Sequence, residues 1–358
     1  TQSHFESAAV IAIAITVLVG FQNCSPVDFA ADTSSKLDGG GGPEIATDCT
    51  SGLNCDEPPP PPFRVTESIT TQVTNKVDVL VIVDNSGSMD VERAALGSRL
   101  KSFLDPLQGL DWRVCVTSSD VGVEKGQPVS FPNGSKVLTP ATTDAEAQFL
   151  DAVTKIKGGS GDEQPVKAQY LAFTNPSSTC YRADAALVTV SLSDEDERST
   201  GGYTKFENDS QFKQLTAQNF PTAAREAVQL TWGRQKVFTA HSIVIKSGDT
   251  ACHSTQAGQN NNAYYGTRLE QLAALTDGKV GNICANDYSS QLTSIGNQVR
   301  TTTAALTLQG VPLSMPSVTL PPQYASTQVS NSGDKLYFLP ELPAGVSVSL
   351  SYMCPGKK

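Results

Sequence analysis

The chain alternates between two hydrophobic patterns over most of its length. Short, nearly continuous apolar runs, typical of strands buried on both faces, lie at residues 77–83, 112–118, 185–194, 236–246 and 279–284. Apolar residues at helical spacing lie at residues 91–104, 144–156, 164–173, 206–229, 266–275 and 288–306. Strands that alternate with helices indicate a mostly parallel sheet covered on both faces. We therefore predict an α/β fold with a doubly wound, mostly parallel sheet over residues 67–306.

The pattern changes after Leu306. Short β-like runs broken by proline follow, namely "VPLSMPSVTL", "KLYFLPEL" and "VSVSLSYMC". Such runs are typical of short strands joined by turns. We predict that residues 307–358 form a small C-terminal β appendage, which covers one edge of the sheet.

The N-terminal part predicts export. Residues 8–21 are apolar and uncharged, and these fourteen positions are too few to span a bilayer comfortably but suit the core of a signal peptide. Cys24 follows shortly, and "FQNC" resembles the lipidation signal of bacterial lipoproteins in gliding and predatory species. The resemblance implies a signal peptide over residues 1–23 and a lipid on Cys24. A cleaved secretory signal or a short anchor is the alternative.

Residues 24–66 have the composition of a tether. The segment "KLDGGGGPE" supplies flexible glycines and "DEPPPPPF" supplies a stiff polyproline stretch. Neither segment can bury a core. We predict that this tether holds a folded head away from a membrane surface.

Composition narrows the class of partner. The 358 residues are 39% hydrophobic, which is enough for a sizeable core. The formal charge is -10, the sequence pI is about 4.8, and no basic run occurs. Phosphate binding depends on clustered Lys and Arg. The sequence therefore predicts no nucleic-acid partner.

The candidate chemistry begins where the first buried run stops. Asp84 closes residues 77–83 and is followed by Ser86, Gly87 and Ser88. In parallel sheets, ligands bind outside the carboxyl ends of the strands, where the strand order reverses. One carboxylate and two hydroxyls are hard oxygen donors, suited to Mg²⁺ or Ca²⁺, and the glycine lets the loop turn sharply. The alternative is a helix N-cap, where Asp and Ser are common.

The segment "VDVLVIVDNSGSM" closely resembles the first motif of von Willebrand factor A domains that carry a metal-ion-dependent adhesion site. The resemblance covers about residues 73–306. It implies a Mg²⁺ ion, or Ca²⁺ or Mn²⁺ in its place. The metal-site residues that it implies are Asp84, Ser86, Ser88, Ser160 and Asp194.

Two of these positions carry alternatives. Ser160, in "GGSGDEQP", stands where the family usually has Thr, and its glycines alone are typical of a plain loop. Asp194, in "VTVSLSDEDE", follows a strand directly and has Asp196 as a nearby rival. We interpret Glu195 and Glu197 as a solvated acidic turn. The family pattern further implies that the serines bind the ion directly and the aspartates largely through water, so that an Asp or Glu of a partner completes the coordination.

Other chemistries fit less well. Ser86 stands where a phosphoryl-transfer site usually has a second Asp, and Met89 stands where an EF-hand loop needs Gly. Asp84 occupies the first glycine position of a nucleophile elbow. His253 beside Cys252 is more typical of a structural or surface role than of a metal site. We predict that the chain is not an enzyme.

Eight cysteines in an exported chain predict disulfides. Lipidation of Cys24 leaves seven, so one is unpaired or pairs elsewhere. Cys49 and Cys55 are close enough in sequence to pair within the tether. The order of the predicted strands could bring Cys115 to Cys180 and Cys252 to Cys284. Cys354 is then the odd cysteine.

Together these features predict a metal-dependent adhesion module on a lipid anchor at the bacterial outer membrane. Its partner is then a protein or cell-surface ligand that presents Asp or Glu, and its site faces the cell exterior. The alternative is a scaffold that faces the periplasm and uses the same metal site to assemble an envelope complex.

Overall fold

The computed structural model describes residues 61–72, 74–159, 161–199, 215–260 and 263–356. The predicted signal peptide, the tether up to residue 60, Cys24, Cys49, Cys55 and Ser160 lie outside these ranges. Within the ranges, no helix is both long enough and apolar enough to cross a bilayer.

The described residues form eleven strands and eight α-helices. The strands are β1 (Phe63–Thr70), β2 (Lys76–Val83), β3 (Asp111–Ser118), β4 (Ala186–Leu192), β5 (Phe238–Val244), β6 (Val280–Asn282), β7 (Leu306–Thr307), β8 (Ser317–Thr319), β9 (Gln328–Ser332), β10 (Lys335–Leu339) and β11 (Ser347–Cys354). The helices are α1 (Asp90–Gly97), α2 (Leu100–Leu104), α3 (Ala145–Lys155), α4 (Pro165–Thr174), α5 (Pro221–Trp232), α6 (Thr250–Asn260), α7 (Thr267–Leu275) and α8 (Ser289–Thr302).

The central sheet has five strands in the order β3-β2-β4-β5-β6, and all of its pairings are parallel. Successive residues of β2 enter opposite cores: Val79 and Val81 pack on one face, and Leu80 and Ile82 on the other. Because both faces of the sheet are covered, a polar side chain on either face of a strand would be buried. This explains why the strands read as continuous apolar runs. The predicted α/β fold with a parallel sheet is confirmed.

Three helical segments differ from the predictions. In place of the helix predicted over residues 206–229, α5 begins at Pro221 after a 3₁₀ turn, Ala217–Asn219, and residues 200–214 lie outside the described ranges. The helix predicted over residues 91–104 is divided into α1 and α2 at Arg99, whose φ of -123° and ψ of 13° leave the helical region. Helix α6 was not predicted, because its sequence "TACHSTQAGQN" has no apolar periodicity. A disulfide from Cys252 attaches α6 to the rest of the domain.

The C-terminal strands form two antiparallel sheets of three strands each, in the orders β1-β11-β8 and β7-β10-β9. Their shared core includes Val65, Ile69, Leu336, Val348 and Leu350. We call these six strands the β unit. The predicted appendage is therefore real as a β structure, but it also contains a strand from the other end of the described chain.

That additional strand is β1, which pairs with β11 from Phe63↔Cys354 to Thr70↔Ser347. Its residues were divided between the predicted tether and the predicted α/β domain. The alternation that makes it a strand is visible in "FRVTESIT", where Val65 and Ile69 are buried and their neighbours are more exposed. The chain thus passes through the β unit before it enters the parallel sheet.

The β unit packs against the amino end of the parallel sheet rather than along an edge strand. Asp277, just after α7, binds the Tyr337 hydroxyl of β10, and Arg234, just after α5, pairs with Glu67 of β1. Helices that connect parallel strands run antiparallel to them, so their carboxyl ends lie at the amino ends of the strands. Asp84 lies at the opposite end of the sheet, away from these contacts of the β unit.

Both predicted disulfides within the α/β domain are confirmed. Cys115 joins Cys180 with a Cα–Cα distance of 6.0 Å, and Cys252 joins Cys284 at 5.6 Å. Cys354, the odd cysteine of the sequence pairing, is also disulfide-bonded, which agrees with the alternative that it pairs elsewhere.

Candidate functional site

The order of the strands places the end of β2 beside the end of β4, with the chain leaving to opposite sides of the sheet. The backbone N–H of Asp84 donates to Leu192 O (2.9 Å), and Ser119 N donates to Val83 O (3.1 Å). Asp84, Ser119 and the residues after Leu192 therefore meet at one carboxyl edge. This is the reversal point at which open parallel sheets bind ligands.

The loop after β2 is fixed by its own side chains. The fully buried Asp84 accepts hydrogen bonds from Ser86 N at Oδ1 (2.8 Å) and from the Ser193 hydroxyl at Oδ2 (2.6 Å). The buried Arg93 donates from Nη1 to the carbonyls of Asp84 (2.9 Å) and Ser86 (2.8 Å). As a result the Ser86 and Ser88 hydroxyl oxygens lie 2.8 Å apart. The Asp84 carboxylate, the Ser86 and Ser88 hydroxyls and the loop backbone are thus fixed relative to one another.

The geometry does not favour the N-cap alternative. Ser86 precedes a single 3₁₀ turn, Gly87–Met89, and its side chain makes no capping hydrogen bond. Gly87 does not adopt a positive φ, and a Cβ placed there would meet nothing within 4 Å. The predicted need for Gly87 in a sharp turn is therefore wrong, and its small size leaves open space beside the hydroxyls.

Asp194 is buried just after the end of β4, and neither oxygen of its carboxylate accepts a well-formed hydrogen bond. Its backbone carbonyl accepts from Tyr264 N (2.9 Å), which fixes the main chain, but neither Oδ1 nor Oδ2 has a hydrogen-bond partner of good geometry. Burial, followed by the charges of Asp84 and Glu195, raises the pKa of Asp194 to about 9, and the nearby Ser88 hydroxyl lowers it in part. A buried carboxylate without a donor normally has a cation beside it.

Further carboxylates surround this pair. Glu163 is fully buried, and burial and the Asp84 charge raise its pKa to about 10. Glu195 is nearly as buried, and burial and the same charge raise its pKa to about 8. Burial also raises the pKa of Asp84. The site is therefore strongly negative whenever these groups are ionised.

Other buried oxygens at this edge also lack donors. They are Asn85 Oδ1, Glu92 Oε2 and Glu163 Oε1. All are acceptors, so a hydrogen-bond donor or a metal ion could satisfy them, whereas a further carboxylate could not. Carboxylate, amide and hydroxyl oxygens are the ligand set of Mg²⁺, Ca²⁺ or Mn²⁺. The residues present therefore fit a hard divalent cation.

The acidic turn is not solvated, contrary to the sequence interpretation. Glu195 and Glu197 are both buried. Glu197 accepts from Val166 N (2.7 Å) and Lys167 N (3.2 Å) at the start of α4. Asp196, the rival of Asp194, accepts from Arg268 N (2.9 Å) in the first turn of α7. Glu197 and Oδ1 of Asp196 are thus engaged at helix N-termini, while Asp196 Oδ2 is buried without a partner. The Asp84 charge raises the pKa of Asp194, which identifies Asp194 as the carboxylate beside Asp84.

Ser160 lies outside the described residues, but the glycine before it reaches the site. Gly159 N donates to Asn85 O (3.5 Å), and a Cβ at Gly159 would lie 2.1 Å from Asn85 Oδ1. Only a glycine allows the two loops to approach so closely. The loop that contains Ser160 therefore adjoins the loop after β2, and the metal role of Ser160 stays a prediction.

Three functional candidates escaped the sequence reasoning. Ser193 orients Asp84, Arg93 fixes the loop carbonyls, and Glu163 faces the acidic group. Ser193 has a visible signal, since it directly precedes Asp194 at a strand end. Arg93 and Glu163 lie on a helix and in a loop, and nothing in their spacing indicates which way they point.

The remaining metal alternative from the sequence is wrong, because Cys252 is disulfide-bonded and cannot bind a metal beside His253 as a thiolate. The His253 ring instead packs on Tyr265 with ring centroids 4.9 Å apart. Among the described residues, no three or more His, Cys, Asp or Glu side chains are grouped so as to hold a metal ion by themselves. A site at the carboxyl edge would depend on hydroxyls as well as carboxylates.

No protein-family model matches this chain, and no curated protein matches it. Among solved structures it is similar to the von Willebrand factor type A from Catenulispora acidiphila, with 15% identity, a TM-score of 0.39, and coverage of 83% of this chain and 62% of that one. It is also similar to the pilus adhesin SpaC from Lactobacillus rhamnosus GG, with 13% identity, a TM-score of 0.38, and coverage of 83% and 42%. A third similar structure is proximal thread matrix protein 1 from the mussel byssus, with 11% identity, a TM-score of 0.34, and coverage of 72% and 51%. The chain spans less than two thirds of the length of each.

Proposed function

We propose that this chain is a metal-dependent protein-binding module that acts in adhesion. The observation that carries the proposal is a group of buried oxygens beside Asp84, Ser86 and Ser88 that accept no well-formed hydrogen bond, among them both oxygens of Asp194. An arrangement of acceptors alone is costly unless a cation completes it. Its position at the reversal point of the sheet makes it open to a macromolecular partner.

The residues of the site have separate roles in this proposal. Ser86 and Ser88 offer neutral hydroxyls, and Asp84 and Asp194 supply the negative charge that retains the cation. Ser193 and Arg93 hold Asp84 and its loop in place. The bound cation, Mg²⁺ or else Ca²⁺ or Mn²⁺, would offer a coordination position to a carboxylate of the partner. A protein or cell-surface ligand that presents Asp or Glu is therefore the partner we infer.

The path of the chain supports presentation at a surface. The predicted tether leads into β1, which belongs to the β unit at the amino end of the sheet. The candidate site lies at the opposite end. A tether of about 40 residues has a root-mean-square reach on the order of 35 Å. With a lipid on Cys24 at the outer membrane, the site would point away from the membrane.

The proposal is tested by binding of the purified full chain to fixed bacterial cells, in Mg²⁺ and in a chelator. Asp84→Asn is preferred to Asp84→Ala, because alanine would also leave Ser86 N and the Ser193 hydroxyl without their acceptor. Asp184→Asn serves as the matched control, since this exposed carboxylate pairs with Lys76 at the start of β2, the opposite end of the strand from Asp84.

We expect wild type and the control variant to bind in Mg²⁺, to lose at least tenfold in affinity in chelator, and to recover when Mg²⁺ or Mn²⁺ is added. Asp84→Asn should bind weakly throughout, with a circular dichroism spectrum like that of wild type. Full binding by folded Asp84→Asn in chelator would refute the mechanism. Protease treatment of intact cells separates an adhesin, which it removes, from the periplasmic scaffold, which it spares.

A further inference from the structure

The loop between α3 and α4 contributes a carboxylate to the site that the motif does not contain. Glu163 follows Ser160 by three residues, and its side chain is fully buried. We propose that Glu163 Oε1 is a direct ligand of the cation bound beside Asp84 by the Ser86 and Ser88 hydroxyls. This inference rests on the proposed cation site, and it gives that site a charged ligand from the loop in which the resemblance implies only a hydroxyl.

The position of Glu163 is fixed by the neighbouring strand ends. Gln164 N donates to Ser119 O (3.0 Å), and Arg198 N donates to Glu163 O (2.5 Å). The Ser119 hydroxyl donates to Glu163 Oε2 and also lies 3.4 Å from Val83 O, directly before Asp84. The carboxylate of Glu163 is therefore held beside the end of β2.

The second oxygen of Glu163 has no such partner. Ser119 satisfies Oε2, whereas Oε1 is buried with no hydrogen-bond donor. The adjacent Asn85 Oδ1 is likewise buried without a donor. A buried carboxylate oxygen without a donor, close enough to Asp84 for that charge to raise the pKa of Glu163, requires a positive group beside it.

The basic side chains near this edge are engaged elsewhere. Arg93 directs Nη1 to two backbone carbonyls and Nη2 to Asp90, and its Nε, which is buried without a partner, makes no hydrogen bond to Glu163. Arg198 binds Asp162 through Nε (3.1 Å) and Nη2 (2.8 Å). A divalent cation, which accepts carboxylate, amide and hydroxyl oxygens alike, is the chemical class that fits Oε1.

Isothermal titration of the full chain with Mn²⁺ tests the role of Glu163 without a partner. Glu163→Gln keeps the shape of the side chain and removes its charge. Glu195→Gln is the matched control. Like Glu163, Glu195 carries one buried carboxylate at the site, next to Asp194 in the chain, but its Oε2 already accepts from the Ser199 hydroxyl. If Glu163 acts only through its charge, the two variants should weaken Mn²⁺ binding by similar factors. If Glu163 is a direct ligand, Glu163→Gln should weaken Mn²⁺ binding much more than Glu195→Gln.

We expect the Kd for Mn²⁺ to rise roughly 100-fold in Glu163→Gln and less than about 10-fold in Glu195→Gln. Equal weakening in the two variants, or unchanged binding by Glu163→Gln, would overturn the assignment while the cation site itself stands. Absence of Mn²⁺ binding by wild type would instead refute the proposed function. If Glu163→Gln does not fold, Glu163→Asp replaces it: the shortened side chain keeps the charge, and a Kd like that of wild type would overturn direct ligation.

Discussion

The buried carboxylates of the site should couple the stability of the protein to both pH and divalent cations. The pKa of Asp194 is raised to about 9 and that of Glu195 to about 8, in both cases first by burial and then by the Asp84 charge. In the unfolded chain these groups titrate near 4. Without a cation, the folded protein therefore holds protons at neutral pH that the unfolded protein has released.

The sign of the effect follows from these values. A group whose pKa is higher in the folded state stabilises that state fully below its unfolded pKa, and this contribution is lost as the pH rises through the folded pKa. Each proton retained only by the folded state lowers the free energy of unfolding by about 1.4 kcal/mol per pH unit. Because the carboxylates interact, we take one shared proton as the minimum. A cation displaces that proton, so its stabilising effect should grow by about 1.4 kcal/mol per pH unit at saturating concentration.

The assay is urea denaturation of the full chain at pH 6.5 and pH 7.5, in chelator and in excess Mg²⁺. The window starts at 6.5 because burial lowers the pKa of His241 to about 3, which gives stability an opposite slope below the unfolded histidine pKa. Asp196 and Glu197, whose pKa values burial raises to about 7 and about 8, change both curves alike. We therefore compare the free energy of unfolding in Mg²⁺ with that in chelator at each pH. A difference that stays constant or becomes smaller as the pH rises would refute the reasoning. Asp194→Asn should make this difference depend less steeply on pH.

Three further outcomes concern the remainder of the molecule. Replacing both Cys115 and Cys180 by Ala should lower the free energy of unfolding by about 4 kcal/mol, since the disulfide spans 65 residues, and a loss below about 1 kcal/mol in urea denaturation would contradict this. Asp334→Asn removes the buried carboxylate that Arg225 and Lys335 share between α5 and the β unit, and should cost about 3 kcal/mol in the same assay; a neutral result would show that the charges there are not paired. Cys24→Ser should abolish labelled fatty-acid uptake and release the protein from membranes, and an unlabelled wild type would argue against the lipid anchor.

The parallel sheet and the meeting of Asp84 with Asp194 could be predicted because both depend on short-range pattern. A continuous apolar run indicates a strand buried on both faces, and the residue after it must emerge at the carboxyl edge. Cys115–Cys180 and Cys252–Cys284 followed from the same reasoning, since each pair lies near neighbouring strands.

Other features depend on contacts between residues far apart in the chain. Strand β1 could be recognised only from its pairing with β11, more than 270 residues later in the sequence. Glu195 and Glu197 look solvated in the sequence, yet both are buried, and Glu197 accepts a backbone N–H at the start of α4. The direction of the Glu163 side chain is set by Ser119, which sequence spacing does not reveal.

The central claim is that Asp84, Ser86, Ser88 and Asp194 hold a divalent cation at the carboxyl edge of the sheet. It is tested most directly by a crystal structure of the full chain grown with Mn²⁺, from which an anomalous difference map locates the metal. We predict a peak within coordinating distance of the Ser86 and Ser88 hydroxyls, and its absence in Asp84→Asn crystals grown the same way. A wild-type map with no peak at this edge, or with Mn²⁺ bound only elsewhere, would contradict the account.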